Sequence, residues 1–319
     1  MHLLVPFASD CSEACRHVLR DLALPNLERL LGALVPMGRD EGEATSLSPP
    51  HERVLGRLLG WRGGDGALPF AAHAARADGV DTGDIAWALL TPGHWQLGRD
   101  AVVLLDPQAI ELADDESNAL FDTLRPQFES EGFRTAWGAA RRWYAGRDDL
   151  EGLAAASPDR VVGRNIDPWL RASDAGLPAP QRATARLVRR LQSEAQLLFH
   201  AHDVNEAREE RGALPINSFW LSGCGRHQPA DAHATPDMAS ELRAPLLAGD
   251  WAAWAEAWRS LDAGALAALA TRARQGGSVA LTLCGERHAV RFETRPRPLW
   301  QRLRGAWQKS VPHELLAAL

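Results

Sequence analysis

The side chains best suited to chemistry in this chain are its histidines, cysteines and arginines. The 319 residues include 11 histidines and 4 cysteines, but no H-E-x-x-H spacing and no C-x-x-C pair. His227 and His233 in HQPADAH, with Cys224 just upstream, form the best candidate metal cluster. The chain also lacks G-x-S-x-G, a phosphate-binding P-loop and G-x-G-x-x-G. We therefore predict neither a metal site nor a cofactor.

Positive charge in this chain is carried almost entirely by arginine, because Lys309 is the only lysine. Genome composition is one explanation, and the suitability of guanidinium for bidentate binding of carboxylate or phosphate is the other.

A net charge of -6 argues against nucleic-acid binding, which requires clustered basic residues. No segment approaches the roughly 18 to 20 apolar residues of a membrane span. The N-terminus lacks the basic region of a signal peptide, so we expect a cytoplasmic protein without a membrane partner.

Strand-like and helix-like stretches alternate in the first part of the chain. HLLVPF predicts a first strand, and SEACRHVLRDLA predicts a helix after it. The apolar residues of NLERLLGALV fall at helical spacing, and HERVLGRLLGW predicts another helix. Between them, the polar, turn-rich stretch GRDEGEATSLSPP predicts a loop.

The remaining stretches extend the alternation to the end of the chain. GDIAWALLTPGHWQLGRDAVVLLDP predicts two strands separated by a Pro-Gly turn, and GFRTAWGAARRWYAG predicts a strand pair. Helices are predicted over DDESNALFDTLRPQFES and from Thr184 to His200, after a linker at residues 173–183. A further helix carries Trp251, Trp254 and Trp258 on one face, and SVALTLCGERHAVRFET predicts a hairpin. Alternation of this kind favours an α/β sheet, with an inserted α+β piece at residues 62–170.

ALPINSFWLSGCGR, residues 213 to 226, combines turn residues, an apolar run and a G-x-G ending. This pattern predicts a buried strand running into a tight backbone turn. The turn either contacts a ligand or only permits close packing, and maintenance of the fold is the favoured role.

Several segments resemble, in order, the archaeal-type cofactor-independent phosphoglycerate mutases of the alkaline phosphatase superfamily. LPNLERLL resembles the superfamily's T-P-N-L-D-R-L-A, and TPGHWQLGRDAVVLLD resembles D-P-V-x-L-x-P-D-x-D-x-V-x-L-x-D. The longest match is RLQSEAQLLFHAHDVNEAREERGALPINSFWLSGCG, which resembles S-x-x-x-L-x-x-H-P-V-N-x-x-R-x-x-x-G-x-x-P-A-N-x-x-W-x-W-G-x-G. The opening MHLLVPFAS and the stretch SLSPPHERVLGRLLGW are also similar to the RpfE-type regulatory proteins of proteobacteria. The resemblance implies an alkaline-phosphatase-like sheet flanked by helices, formed by residues 1–61 and 171–319, with a smaller inserted mutase-like domain at 62–170.

Catalytic members of that family use a phosphorylated serine between two divalent metals held by Asp and His. This sequence departs from the family at those positions. Phe7 and Ala8 stand where the family has an Asp-Gly turn, and Cys284 and Gly285 stand where it has an Asp-His pair. On the nucleophile pattern, His51 replaces the serine and Glu52 the aspartate. The two-metal reaction is therefore not expected, although His51 and Glu52 remain candidate catalytic residues, because imidazole can act as a base or nucleophile near neutral pH.

The resemblance also implies residues that bind an anionic ligand, a phosphorylated or carboxylated metabolite. For each arginine among them, a solvated surface position is the alternative. The candidates are His94, Asp100, Arg141, Arg142, Arg164, Asn205, Arg208 and Asn217.

Three functions follow. The first is a regulatory or ligand-binding protein without two-metal phosphotransfer. The second is an active phosphomutase or phosphohydrolase rebuilt around His51. The third is an interaction protein whose tryptophan-bearing helix, or the basic and aromatic segment RPRPLWQRLRGAW, docks a protein partner.

Overall fold

The computed structural model describes residues 1–172, 178–231, 234–294 and 312–319, and the chain divides into two compact units. The first unit comprises Met1–Ala44, Pro49–Leu59 and Asp231–Leu319. The second unit comprises Thr45–Ser48 and Gly60–Ala230. The second unit therefore ends at residue 230, whereas the sequence prediction ended the inserted domain at residue 170.

The strands of the described residues are numbered in chain order. They are β1 (His2–Val5), β2 (Val35–Asp40), β3 (Ala86–Gly93), β4 (Trp95–Leu97), β5 (Val102–Leu104), β6 (Arg134–Ala139), β7 (Arg142–Gly146), β8 (Ser218–Arg226), β9 (Asp237–Met238), β10 (Ala280–Cys284) and β11 (Ala289–Glu293).

The helices are numbered in the same way. They are α1 (Glu13–Asp21), α2 (Pro25–Ala33), α3 (Pro50–Leu58), α4 (Phe70–Ala77), α5 (Asp114–Ser130), α6 (Pro158–Val161), α7 (Asp167–Ala172), α8 (Ala179–His200), α9 (Asp203–Glu210), α10 (Arg243–Leu247), α11 (Trp251–Leu261), α12 (Ala267–Arg274) and α13 (Pro312–Ala317). A π-helical turn, Asp262–Leu266, connects α11 to α12.

The first unit has a mixed sheet in the order β2-β11-β10-β1-β9. β1 runs parallel to β10 and β9, whereas β11 is antiparallel to both of its neighbours. Alternate strand residues such as Val5, Leu283 and Phe292 pack on one face with helices α1, α2, α11, α12 and α13. On the opposite face, Leu4 and Ala289 pack with Val54 of α3. The unit is a mixed α/β structure with helices on its sheet, as the sequence predicted.

Helix α2 begins without a cap from its own sequence, because the residue preceding it is Leu24. Asp262, in the π-helical turn, supplies the missing acceptor. Its Oδ1 accepts a hydrogen bond from the Leu27 backbone N–H at 2.8 Å, and its Oδ2 accepts from that of Asn26 at 3.1 Å. A carboxylate placed there satisfies backbone donors that the helix itself cannot satisfy. Asp262 is 3% exposed, so water cannot easily replace it.

The second unit contains an antiparallel sheet in the order β6-β7-β3-β8 and a separate β4-β5 ribbon. On one face, Phe121 and Phe128 of α5 and Phe199 of α8 pack against Trp143 and Phe219. On the other face, the alanines of α4 pack against Trp87 and Tyr144. β8 is hydrogen-bonded to β3 along its length, and for this reason the residues up to 230 belong to the second unit.

The glycines at the end of ALPINSFWLSGCGR have a packing role. Gly223 has a φ of +68°, and a Cβ there would lie 2.9 Å from the Ala71 backbone nitrogen. Only glycine combines this conformation with such a close approach of α4 to β8. The predicted turn is absent, because β8 continues through both glycines to Arg226, with a register shift opposite Trp87 and Leu89. The glycines serve packing, which is the role that the sequence favoured.

Three local predictions differ from the structure. Residues 35–40, divided in the prediction between a helix and a loop, form strand β2 at the sheet edge. Pro92 and Gly93 lie within β3, and the reversal occurs instead at Gly98, whose N–H donates to the Ala101 carbonyl at 2.8 Å. Helix α8 begins at Ala179, within the predicted linker, and residues 173–177 lie outside the described part of the chain.

The tryptophan face of α11 packs inwards, contrary to the docking hypothesis. Trp254 and Trp258 are 0% exposed and belong to the core of the first unit, with Trp251 packed against it. The segment RPRPLWQRLRGAW lies outside the described residues. None of the helices that the structure describes is both long and apolar enough to cross a bilayer.

Removal of the Asp262 carboxylate is expected to destabilise the first unit. Asp262→Ala should lower the free energy of unfolding by about 2 kcal/mol, because two buried backbone N–H groups lose their acceptor. Urea unfolding followed by tryptophan fluorescence measures this change. Asp250→Ala is the control, since Asp250 caps the exposed start of α11 through the Ala253 N–H, and a loss of about 1 kcal/mol or less is expected. Equal losses in both variants would contradict the role of Asp262.

Candidate functional site

The carboxyl ends of the parallel strands β1 and β10 meet at one corner of the first unit, the usual place for ligands in such sheets. The Ala8 N–H donates to the Cys284 carbonyl at 2.8 Å, which ties the loop after β1 to the end of β10. We call the group Phe7, Ser9, His51, Cys284 and Gly285 the strand-end corner. It contains the positions at which the sequence departs from the phosphoglycerate mutase pattern.

Phe7 has an unusual backbone conformation, with a φ of +56°. This left-handed region is unfavourable for a bulky side chain, so its neighbours must hold it there. Trp254 Nε1 donates to the Phe7 carbonyl at 3.1 Å. The Phe7 ring lies with its centroid 5.2 Å from that of His51. The resemblance implies the first metal ligand at this place, and the Phe7 side chain has no metal-binding atom.

His51 is the second residue of α3 and is 6% exposed. The helix begins with Pro49 at the cap position and no side-chain cap, so its positive end adjoins the imidazole. Glu52 follows as a half-buried acidic residue in the first turn. The structure therefore brings His51 to the strand-end corner, beside Phe7.

Gly285 follows β10 and is closed in by the end of the described chain. A Cβ at Gly285 would lie 2.5 Å from Leu319 Cβ and 2.6 Å from Ser9 Oγ. The backbone N–H groups of Arg287 and His288 donate to the Leu319 carbonyl at 3.0 and 2.7 Å. No side chain can replace the hydrogen of Gly285 without moving these groups. Sequence reasoning missed this contact because nothing in residues 312–319 indicates where they pack.

The strand-end corner does not fit the two-metal centre that the resemblance implies. Among the residues described by the structure, no three His, Cys, Asp or Glu side chains are grouped to hold a metal ion. Burial raises the pKa of the Cys284 thiol, which opposes the thiolate form that binds metals. Asp10 Oδ1 instead accepts from Ser12 at the start of α1, and Glu286 Oε2 accepts from the Cys11 N–H.

The metal cluster suggested by HQPADAH is also not assembled among the described residues. Burial raises the pKa of Cys224 to about 12, and its side chain belongs to the core of the second unit. The His227 ring lies 3.0 Å from Arg76 Nη1, and burial followed by this positive charge lowers the pKa of His227. His233 lies outside the described residues.

Three of the predicted ligand-binding residues hold together the segment around β4 in the second unit. His94 Nδ1 lies 2.8 Å from the Pro215 carbonyl oxygen. Asn217 pairs with the Trp95 backbone in both directions, accepting from its N–H at 2.7 Å and donating to its carbonyl at 2.9 Å. Asn205 Nδ2 donates to the Ile216 carbonyl at 2.7 Å. These contacts give the three side chains a positioning role within the chain.

Arg208 is saturated by partners within the chain and is 1% exposed. Its Nη1 pairs with Glu116 Oε2 at 2.6 Å, Nε donates to the Leu214 carbonyl, and Nη2 donates to that of Glu111. Arg211 pairs with the other Glu116 oxygen from the surface. Each nitrogen of the Arg208 guanidinium therefore already has an acceptor, and the side chain is too deeply buried for an external anion to reach it.

Arg141 and Arg142 also have partners within the second unit. Arg141 donates to the Pro107 and Ile110 carbonyls at 2.7 and 2.6 Å. Arg142 forms a bidentate pair with Asp78, through Nε at 2.8 Å and Nη2 at 2.7 Å. Tyr144 adds a third hydrogen bond to Asp78 at 2.6 Å.

Asp100 and Arg164 lie at exposed positions. The second unit thus does not assemble the eight candidates into one cluster: six hold its structure together and two lie at its surface.

Comparisons with known proteins add two distant structures. No family model matches the chain, and no curated protein matches it. The cofactor-independent phosphoglycerate mutase from Thermoplasma acidophilum DSM 1728 is similar with a TM-score of 0.37 and 17% identity, over 99% of this chain and 98% of that one. The PH0037 protein from Pyrococcus horikoshii is similar with a TM-score of 0.45 and 12% identity, over 92% and 87% of the two chains. At this level of similarity, the function must be argued from the residues of the chain itself.

The saturated environment of Arg208 predicts a large cost for its removal. Arg208→Met should lower the free energy of unfolding by about 3 to 5 kcal/mol, since it leaves Glu116 and two carbonyls without their buried donor. Arg211→Met removes the exposed partner of the same carboxylate and should cost no more than about 1 kcal/mol. Denaturant unfolding of both variants measures the difference. A small loss for Arg208→Met would indicate that this arginine is available for a ligand.

The Asp78 pair predicts a pH dependence. Hydrogen bonds from Arg142 lower the pKa of Asp78 below its ordinary 3.8, with Tyr144 adding to the effect and burial opposing it. A carboxyl group of lowered pKa stabilises the fold above its unfolded pKa and loses this contribution as pH falls through the folded value. The stability difference between wild type and Asp78→Asn should therefore be constant from about pH 7 to about pH 5 and shrink below about pH 4. Urea titrations across this range test it, and a difference that grows on acidification would contradict it.

Proposed function

We propose that this chain is a phosphoglycerate-mutase-like regulatory protein of the RpfE type. In this proposal it lacks two-metal phosphotransfer and acts by binding a small anionic ligand, a phosphorylated or carboxylated metabolite, or a protein partner. The observation that carries the proposal is the strand-end corner. There Phe7, Cys284 and Gly285 stand at the positions where the resemblance implies metal ligands.

The chemistry of those side chains supports the proposal. Two divalent ions stabilise a transferring phosphoryl group by neutralising its oxygens and activating the nucleophile. A phenyl ring, a buried thiol of raised pKa and a glycine packed against Leu319 provide none of the charged ligands that such ions require. Binding of an anion requires no metal ion, because arginine side chains can donate hydrogen bonds to its oxygens directly.

A second candidate function, phosphotransfer or phosphate hydrolysis centred on His51 with Glu52, is favoured by one observation. Phe7, which packs on His51, has a strained backbone, and such strain is concentrated at functional sites. Imidazole at the positive end of α3 is also placed to meet a phosphate. Other groups would have to supply the electrostatic stabilisation that two metal ions give to a transferring phosphoryl group. Because of this requirement, catalysis at His51 is the second candidate.

Metal content and turnover distinguish the two functions. We expect purified protein to contain manganese and zinc far below stoichiometry, and to show no manganese-stimulated hydrolysis of p-nitrophenyl phosphate or mutase activity beyond the background of His51→Gln. Elemental analysis and steady-state assays measure both quantities. His17→Gln, a change at an exposed histidine, is the control for handling of the variants.

Two results would favour the second function over the first. Stoichiometric metal, or turnover that is lost in His51→Gln while the thermal melting profile is unchanged, would replace the first function with the second. Turnover retained in both histidine variants would indicate a contaminating enzyme, and turnover lost in both would indicate damage during handling of the variants.

A further inference from the structure

The first unit contains a cavity of about 470 Å³ between α3 and the sheet. It lies on the sheet face that carries Leu4 and Ala289, away from the main core. We call it the sheet-face cavity. Its lining comes from β2, β10, β11 and α3, and consists of Met37, Gly38, Arg39, Asp40, Val54, Arg57, Leu58, Thr282, Ala289, Arg291 and Glu293.

The strand register explains why a space exists there. Arg291 of β11 lies opposite Gly38 of β2 on one side and Thr282 of β10 on the other. Gly38 has no side chain to cover the space, and a Cβ added to it would meet no atom within 4 Å. The cavity is therefore open opposite Arg291.

Three guanidinium groups, Arg39, Arg57 and Arg291, line this space, and the acidic residues among them are already paired. Asp40 accepts from Arg57 Nη1 at 2.5 Å and from Arg53 Nε at 2.8 Å. Glu293 lies 2.5 Å from Arg291 Nη2. With two arginines on Asp40 and one on Glu293, the lining retains an excess of positive charge.

Arg291 is the member of this set whose hydrogen bonding is incomplete. Its Nε is buried and has no hydrogen-bond partner among the residues that the structure describes. A buried guanidinium nitrogen without a partner requires an explanation, because the loss of its water is otherwise uncompensated.

The neighbouring histidine does not supply the missing acceptor, because its contact is with another residue. His2 Nε2 lies 2.9 Å from Thr282 Oγ1. Burial, and next the charge of Arg291, lower the pKa of His2 to about 4, so the imidazole is neutral near pH 7. The groups around Arg291 thus add no negative charge beyond Glu293.

Apolar side chains complete the lining: Met37 from β2, Val54 and Leu58 from α3, and Ala289 from β11. A cavity with guanidinium groups beside an apolar wall suits a ligand with a charged end and a carbon body. Planar guanidinium groups bind carboxylate and phosphate oxygens in particular.

We propose that the sheet-face cavity binds a small organic anion, with Arg57 and Arg291 holding its carboxylate or phosphate and Val54 and Leu58 packing on its carbon body. The inference rests on the proposed function for the class of ligand, and it places that ligand in a cavity whose lining shares no residue with the strand-end corner. No residue of this cavity was among the ligand-binding candidates of the sequence.

Isothermal titration calorimetry with phenyl phosphate, inorganic phosphate and benzyl alcohol tests the proposal. Wild-type protein should bind phenyl phosphate, bind inorganic phosphate more weakly and give no heat with benzyl alcohol. Arg291→Gln should weaken phenyl phosphate binding about tenfold or more, because one charged donor pair is lost. Arg259→Gln is the charge-matched control, at an exposed arginine paired with Glu256 on α11, and should bind as wild type does.

Gly38 provides a second test that does not alter the charge. Gly38→Phe should abolish binding by filling the space opposite Arg291, while Gly38→Ala, which adds a Cβ into open space, should leave it unchanged. A phenylalanine is well suited to a strand, so this variant should fold.

Two results would overturn the inference. Binding of phenyl phosphate that is unaffected by Gly38→Phe and Arg291→Gln would place the anion elsewhere and leave the proposed function standing. Absence of phenyl phosphate binding to the wild-type protein would rule out the cavity as an anion site. A failure of the proposed function would be seen separately, as manganese-dependent turnover in the enzyme assays.

Discussion

The parallel pairing of β1 with β10 is the constraint on which the candidate site depends. The two strands are nearly 280 residues apart in the chain, and their register, from His2 opposite Ala280 to Val5 opposite Leu283, sets which residues follow them at the same edge. The loop with Phe7 and the turn with Gly285 are consequently neighbours. β10 is in turn paired with β11 in a local hairpin, and this hairpin positions Arg291 in the sheet-face cavity. A shift of one residue in this register would exchange the two faces of β1, which carry the core on one side and the cavity on the other.

Arginine has two different uses in this chain. In the second unit, Arg208 and Arg141 donate to backbone carbonyls of irregular segments, which have no strand or helix partner to satisfy them. The guanidinium group acts there as a structural connector. In the first unit, Arg291 has one carboxylate partner and an Nε with none. The difference lies in the number of acceptors that the surrounding chain supplies, and not in the residue type.

Elements with local signals could be predicted from the sequence. The acidic first turn and apolar spacing of α5, and the hairpins β6–β7 and β10–β11, need only contacts between residues close in the chain. Strand β2 could not, because its short mixed sequence becomes a strand only through pairing with β11, some 250 residues later. Asp262 shows the same limit, since it caps a helix that begins 237 residues earlier.

The site was predictable in part, for the same physical reason. Alignment to a family pattern singled out Phe7, His51, Cys284 and Gly285, which lie near one another in the structure. It could not give the left-handed backbone of Phe7 or the packing of Leu319 on Gly285. The candidate ligand-binding arginines illustrate a further limit, because residue type indicates what guanidinium can bind but not whether the chain has already bound it.

The proposed function rests on a difference between what metal ions and what arginine side chains can do with a phosphate. Catalysis requires interactions that are stronger in the transition state than with the bound substrate. A pair of divalent ions provides such interactions, because charge that develops on the attacking and leaving oxygens is neutralised at short range. Guanidinium groups fixed by their own carboxylates, as Arg57 is by Asp40, hold a ground-state anion without following that change in charge. A site of this composition favours retention of a ligand over its conversion, and this is the physical basis for placing binding ahead of catalysis.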